Sequence, residues 1–287
     1  LNLNRKNYLE FLDSGQGLLY STQLHFPVIV KPSDGTASLY TKVVFNYEEL
    51  EEHLKFIFSV EDYGRGVKLN KEILIEEFLE GPLFSVETIT LNGRHHVLGL
   101  CDRVLEGFPY FVEVEMSFPC EHKWLNEFVN ITFQALNAIG VDFGPIHTEL
   151  VLTKEGPKII EINPRLAGLA IPELMEITLN RNIVLDVVRM HLGEAINLDF
   201  HPMRFATQYC FHTLKRGILK KIIPSTRSTG PYIHSQTFSK HPGDYLKGLQ
   251  SNFDLLGTLV VSGNTLAESQ DLAHLIAKET QFVVREG

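Results

Sequence analysis

The 287-residue chain is 44% hydrophobic and 21% charged, with a formal net charge of −9. That balance suits one large or two modest domains and argues against a nucleic-acid surface, which needs clustered Lys and Arg. Three widely separated cysteines (Cys101, Cys120, Cys210) fit neither a disulfide framework nor a zinc knuckle, and no apolar run nears the ~20 residues of a membrane span. A cytoplasmic protein without a membrane partner is therefore expected. No signal-peptide pattern is read at the start, and the opening "LNLNRKNYLEFL", without methionine, reads as a fragment.

In chain order, "HFPVIV" (25–30) predicts a short buried strand, followed at Lys31 by the small-residue turn "KPSDGTAS". "NYEELEEHLKFIFSV" predicts an amphipathic helix with Leu50, Leu54 and Ile57 or Phe58 inward. "EILIEEFL" is a strand ended by Gly81-Pro82. "FSVETITL", Asn92-Gly93 and "HHVLGL" form a hairpin signal, because Asn-Gly suits a type I′ turn. "YFVEVEMSF" continues the sheet. "EHKWLNEFVNITFQALNAIG" predicts a helix with Leu125, Phe128, Thr132, Ala135, Leu136 and Ile139 on one stripe and Gly140 as its stop. Two helices start near Pro172 and Asn182. From about residue 203 short strands and turns take over, ending in the helix "TLAESQDLAHLIAKET".

The stretch "HTELVLTKEGPKIIEINPR" carries the chemistry. Taking 147–152 and 158–163 as strands joined by a turn over Thr153–Pro157, Glu149 falls opposite Glu161 and His147 opposite Asn163. Leu150, Leu152, Ile160 and Ile162 then share the other face. Like charges directly opposite each other destabilise a ladder, so facing glutamates call for a cation, unless both lie on a solvated face. Mg²⁺ takes one or two carboxylates plus water and phosphate oxygens, and Asn163 adds a neutral ligand. Arg165 is placed to clamp an anion. A zinc site at His147 and Glu149 lacks paired cysteines and an HExxH.

Lys31 and the loop of Ser33, Gly35, Thr36 and Ser38 offer a point charge and backbone N–H groups to phosphates, although plain turns look similar. The strand end at Glu76-Glu77-Phe78-Leu79 could present backbone groups to an adenine, or be a simple hairpin. The four His201, His212, His234 and His241 read as surface or hydrogen-bonded residues, not ligands.

The order of these pieces is specific: a Lys strand with a small-residue loop, E-E-F-L-x-G, G-P-x-H-T-E, then E-I-N-P-R. It resembles the ATP-grasp superfamily over about residues 20–200, most closely at "DFGPIHTELVLTKEGPKIIEINPRLAG". "CDRV", "PYFVEVEMSFP" and "INPRLAG" resemble its L-amino-acid ligase branch. The resemblance implies an α+β ATP-grasp fold: residues 1–25 as a remnant of an N-terminal region, a lid at 26–75, a core with the Mg/ATP site at 76–202, and a β-rich C-terminal subdomain at 203–287. That last part resembles the corresponding region of these ligases and of biotin carboxylases.

Carried over, Lys31, Ser33, Gly35 and Ser38 would meet ATP phosphate, and Glu76, Glu77, Phe78 and Leu79 would form the adenine hinge. Glu149, Glu161 and Asn163 would hold Mg²⁺, or Mn²⁺ in its place. Arg165 and Lys31 would be catalytic, and Arg103, Glu113 and Arg165 would face the substrates. The implied activity is ATP-dependent joining of a small-molecule carboxylate to an amine through an acyl-phosphate, with a homodimer as a reasonable assembly. Activation of bicarbonate or another small carboxylate, and a nucleotide-binding module without turnover, are the alternatives. The chain departs from the pattern at Ala37 and Tyr40, where glycine is common, and at Met116, where the ligases often have histidine. An N-terminal α/β subdomain with its own phosphate-binding lysine is not evident; residues 1–20 look like its tail.

Overall fold

The computed structural model describes residues 2–4, 24–62 and 67–285, and the chain divides into two units. The first unit comprises residues 1–78, 105–112 and 247–254; the second comprises 79–104, 113–246 and 255–287. Most of the tail read at residues 1–20 lies outside the described residues.

In the first unit the elements are β1 (Asn2–Asn4), β2 (Val28–Pro32), β3 (Lys42–Val44), α1 (Tyr47–Ser59) and β4 (Glu72–Glu77). The strands pair antiparallel in the order β1-β4-β2-β3. Asn46 caps α1 by accepting from the Glu49 N–H at 2.9 Å, which satisfies one donor that the first helical turn leaves open. Leu50, Leu54, Ile57 and Phe58 are all buried against Val28, Val30, Ile73 and Ile75. The 3.6-residue period therefore reports the inward face correctly. His53 is buried with them and donates from Nε2 to the Tyr40 carbonyl at 2.9 Å.

The second unit is built on an eight-stranded sheet. Its elements, with those at the borders of the unit, are β5 (Leu83–Leu91), β6 (Arg94–Glu106), β7 (Val112–Phe118), α2 (Leu125–Ala138), β8 (Phe143–Thr153), β9 (Gly156–Asn163), α3 (Ile171–Leu179), α4 (Ile183–His191), β10 (Phe205–Phe211), β11 (Arg216–Ile223), β12 (Ile233–Phe238), β13 (Tyr245–Lys247), β14 (Gly257–Gly263), α5 (Leu266–Glu279) and β15 (Gln281–Arg285). The large sheet runs β12-β14-β10-β7-β6-β5-β8-β9, and β13-β11-β15 form a small one. Asn92 and Gly93 both have positive φ, the backbone that a type I′ hairpin turn requires. At Gly81 a Cβ would stand 2.1 Å from the Leu152 carbonyl oxygen, so only glycine fits the turn into β5.

Two expectations need correction. Along α2, Phe128, Thr132 and Leu136 are buried, but Leu125 and Ile139 at its ends are 38% and 61% exposed. The helix begins only at Leu125, and Ile139 is its C-cap, one residue past the last helical position. The β8–β9 turn is also tighter than Thr153–Pro157: Thr153 pairs directly with Gly156, leaving Lys154 and Glu155 as the turn. Glu149 pairs with Glu161 and His147 with Asn163 as expected, but Leu150 pairs with Ile159, so Ile160 is an extra, bulged residue. Ile159, not Ile160, consequently packs with Leu150 and Leu152 against Phe84, Val86 and Phe128.

The three cysteines are buried and free. No helix among the described residues is long and apolar enough to cross a membrane.

Candidate functional site

The second unit gathers charged side chains within its eight-stranded sheet. Glu87, Arg103 and His147 are 1%, 6% and 1% exposed, on β5, β6 and β8. They meet because β5 lies between β6 and β8, with Glu87 opposite His147 and Ser85 opposite Glu149. Burying such groups is costly unless each is paired.

The pairing is dense. Arg103 Nη1 donates to Glu149 Oε1 at 3.1 Å and to Glu113 Oε2 at 2.9 Å. His147 Nδ1 donates to Glu87 Oε1 at 2.7 Å, and the same oxygen accepts from Ser85 Oγ at 2.7 Å. His147 Nε2 lies 3.0 Å from Glu149 Oε1 and 2.9 Å from Arg103 Nη2. Burial alone would lower the His147 pKa, but the Glu87 charge and the bonds to Glu149 and Glu87 carry it up to about 9. As an imidazolium the ring donates from Nδ1 to Glu87 and from Nε2 to Glu149, so Arg103 Nη2 stands beside it as a like charge and not as a hydrogen-bond donor. Burial would raise the Glu149 pKa, but Arg103 and then His147 pull it down to about 2. Arg103, despite burial, is held above the ordinary arginine range by Glu113 and Glu149.

Both contacts of Glu149 use Oε1. Among the described residues its Oε2 has no partner, so that lone-pair edge is fixed in orientation and open. Glu161 faces it across the ladder and is exposed. One step along, Asn163 Oδ1 accepts from Arg165 Nη2 at 3.3 Å, while Asn163 Nδ2 is buried with no acceptor. Exposed Arg165 also donates from Nη1 to the Leu166 carbonyl at 3.0 Å. The structure thus brings Glu149, Glu161, Asn163 and Arg165 together on one hairpin. No three His, Cys, Asp or Glu side chains converge as metal ligands among the described residues. Two carboxylates and an amide still suit Mg²⁺, whose remaining positions are commonly water and phosphate oxygens.

In the first unit, Lys31 Nζ pairs with Glu76 Oε2 at 2.5 Å across β2 and β4. The turn after Lys31 is exposed at Ser33 and Gly35, and Ser33 Oγ accepts from Asn70 Nδ2 at 2.9 Å. Ala37, Ser38 and Tyr40 all adopt left-handed φ of 55°, 55° and 63°. The two positions singled out in the sequence for lacking glycine therefore hold a backbone that glycine adopts most readily. Glu77 ends β4 exposed, and Phe78 and Leu79 follow half-buried.

Sequence reasoning passed over Glu87 and treated His147 only as a zinc candidate. A signal for both was present. Glu87 interrupts "FSVETITL", and His147 shares a strand face with Glu149. Of the other histidines, His201 is exposed, His212 and His234 contact the Cys210 carbonyl and Ser262 Oγ, and His241 is exposed.

The ATP-grasp domain family matches residues 24–173. The chain is 26% identical over 235 residues to uncharacterized protein y4rH of Sinorhizobium fredii, covering 78% of this chain and 48% of that protein. It is 27% identical over 186 residues to dapdiamide A synthase of Enterobacter agglomerans, covering 63% of this chain and 41% of that one. The chain thus spans about half the length of these curated relatives. The crystal structure of an L-amino acid ligase from Bacillus licheniformis superposes with a TM-score of 0.80 at 23% identity, over 93% of this chain and 67% of that one.

Proposed function

This chain belongs to the ATP-grasp family, and on that premise we propose that the protein is an ATP-dependent carboxylate–amine ligase releasing ADP and phosphate. The observation that carries this reading is the Glu149–Glu161 pair, with one carboxylate edge aimed and open and Asn163 beside it. Similarity to dapdiamide A synthase supports ligation in particular.

A carboxylate is a poor electrophile. In the proposed reaction a substrate carboxylate oxygen attacks the γ-phosphorus of ATP, the bond to ADP breaks, and an acyl-phosphate results. The amine lone pair then attacks the acyl carbon, phosphate leaves with the C–O bonding pair, and the nitrogen loses a proton. When bound, Mg²⁺ (or Mn²⁺) neutralises charge on the phosphate oxygens. Glu149, Glu161 and Asn163 would hold it, and Arg103 with His147 orients Glu149 from behind through Oε1. Arg103, whose Nη1 pairs with Glu113 and Glu149, would both orient Glu149 and face the substrates. Arg165 would contact the acyl-phosphate, and Glu113 the substrate amine. Lys31, Ser33, Gly35 and Ser38 would bind phosphate, with Glu76, Glu77, Phe78 and Leu79 at the adenine.

We carry forward the division at 26–75, 76–202 and 203–287, a homodimeric assembly and a cytoplasmic setting as parts of the same proposal. The test is ADP release by the full-length protein with pairs of amino acids, with bicarbonate, and with ATP alone. Stimulation by amino-acid pairs, lost in Glu161→Gln, supports the ligase. Stimulation by bicarbonate alone, or tight ATP binding without turnover, overturns it.

A further inference from the structure

Glu87 is a buried carboxylate to which the proposed reaction assigns no task. It lies on β5, between β6 and β8, with Gly99 opposite it on one side and His147 on the other. Gly99 offers no side chain, and a Cβ there would stand 2.5 Å from the Phe118 ring, which packs directly over it. Glu87 is 1% exposed and must find its donors within the protein. Among the described residues they are Ser85 Oγ and His147 Nδ1, both 2.7 Å from Oε1.

Fold stability alone does not call for a carboxylate here. Replacing a buried ion pair with apolar residues of similar volume is often neutral or stabilising, so such a pair is weak evidence for a stabilising role. What the pair supplies is direction. Glu87 grips His147 at Nδ1, which leaves the opposite ring edge, Nε2, set on Glu149 Oε1 at 3.0 Å. Arg103 Nη1 reaches the same oxygen at 3.1 Å. A glutamate carboxylate turns about its last bond with a broad, two-fold preference, so its two oxygens exchange readily when free. One donor selects an oxygen but leaves the carboxylate plane loose; donors from both β6 and β8 fix the plane too. Oε2 then remains the free oxygen, on a residue that faces Glu161 across the ladder.

We propose that Glu87 is a positioning residue for the cation site: acting through His147, it fixes the plane of Glu149 so that Oε2 alone is presented to a divalent ion. The inference rests on the reading of Glu149 and Glu161 as ligands of that ion. Glu87 acts without contacting the ion itself. Outer partners of this kind set metal affinity by about 10- to 100-fold, because a ligand that must be reoriented on binding gives up part of its interaction.

The test is Mn²⁺ titration of the full-length protein with a non-hydrolysable ATP analogue, followed by electron paramagnetic resonance, in Glu87→Met and Glu87→Gln. Methionine fills the space without an acceptor for His147 Nδ1, whereas glutamine keeps one. The expected result is a site weakened by about 10- to 100-fold in Glu87→Met and restored to within about threefold of the parent in Glu87→Gln. Equal affinity in Glu87→Met and the parent, or equal loss in both variants, overturns the inference. A purely structural role would lower the melting temperature of Glu87→Met yet leave the Mn²⁺ affinity of the folded protein unchanged. If Glu87→Met misfolds, a crystal structure of the unmodified protein with Mn²⁺ and the analogue decides. Glu149 Oε2 on the ion with Oε1 still on His147 supports the inference, and Oε1 released from His147 to the ion overturns it. The two readings fail separately. A parent site unaffected by Glu149→Gln and Glu161→Gln overturns the ligand assignment and this inference with it. A site weakened by those two variants but not by Glu87→Met overturns only the role of Glu87.

Discussion

Glu149 and Glu161 face each other because Ile160 is bulged out of β9. Counted back from the Thr153–Gly156 end, a regular ladder would set Ile160 opposite Glu149 and turn Glu161 toward the apolar face. The extra residue restores the register at the one place where two carboxylates must meet, while Ile159 stays in the core. Without a cation the arrangement is repulsive. Glu161→Gln is therefore expected to stabilise the protein by about 0.2–1 kcal/mol in urea melts with EDTA. Stabilisation by MgATP should shrink in the same variant.

The buried network behind Glu149 is expected to be sensitive to loss of its cation. Arg103→Met takes the counter-charge from Glu113 and one of two partners from Glu149, which keeps His147, at a cost of up to about 3 kcal/mol. Arg103→Lys should recover only part of this, because a lysine ammonium is more strongly hydrated and lacks the rigid planar guanidinium that is seated here. Equilibrium denaturation of the two variants measures the difference.

Asp102 gives the protein a pH dependence of its own. Burial, opposed by the Ser117 N–H at 2.8 Å and reinforced by Glu115, raises its pKa from 3.8 to about 6. The unfolded chain ionises first, so stability falls as pH rises through 3.8 to 6, and the full cost is present above pH 6. Asp102→Asn keeps an oxygen for the Ser117 N–H and removes the charge. Its stability between pH 4 and 7 should be flatter, and at pH 7.5 it should exceed the parent by about 1–3 kcal/mol. Melts across that range provide the check.

The loop after Lys31 holds strain that one substitution can release. Ala37 sits at φ 55° with its carbonyl accepting from the Asn252 N–H at 3.3 Å. Ala37→Gly keeps that bond and removes the Cβ clash, and should stabilise the protein by about 0.5–1 kcal/mol. Tyr40→Gly should not, because the Tyr40 ring packs edge-on to Phe56 at 5.3 Å. Parallel thermal melts separate the two outcomes.

Much of this was legible in the sequence where the local rules are strong. Period fixed the inward face of α1, Asn92-Gly93 fixed a hairpin, and strand parity placed Glu149 opposite Glu161. The bulge was not legible, because an extra residue leaves no mark on composition; the register came out right at the site since the shorter turn and the bulge offset each other. Nor was the Glu87–His147–Arg103 network, which depends on β5 lying between β6 and β8, a matter of sheet order and not of local pattern. The exposed ends of α2 show the converse limit: an apolar stripe says which face turns inward, not where the helix starts and stops, and Leu125 and Ile139 fall at those two ends.

The most direct test of the central claim is Mn²⁺ binding, followed by electron paramagnetic resonance, to the full-length protein with a non-hydrolysable ATP analogue. A nucleotide-dependent site weakened at least tenfold in both Glu149→Gln and Glu161→Gln is the expected result. Binding that is unchanged in the double variant would contradict a cation held between the two carboxylates.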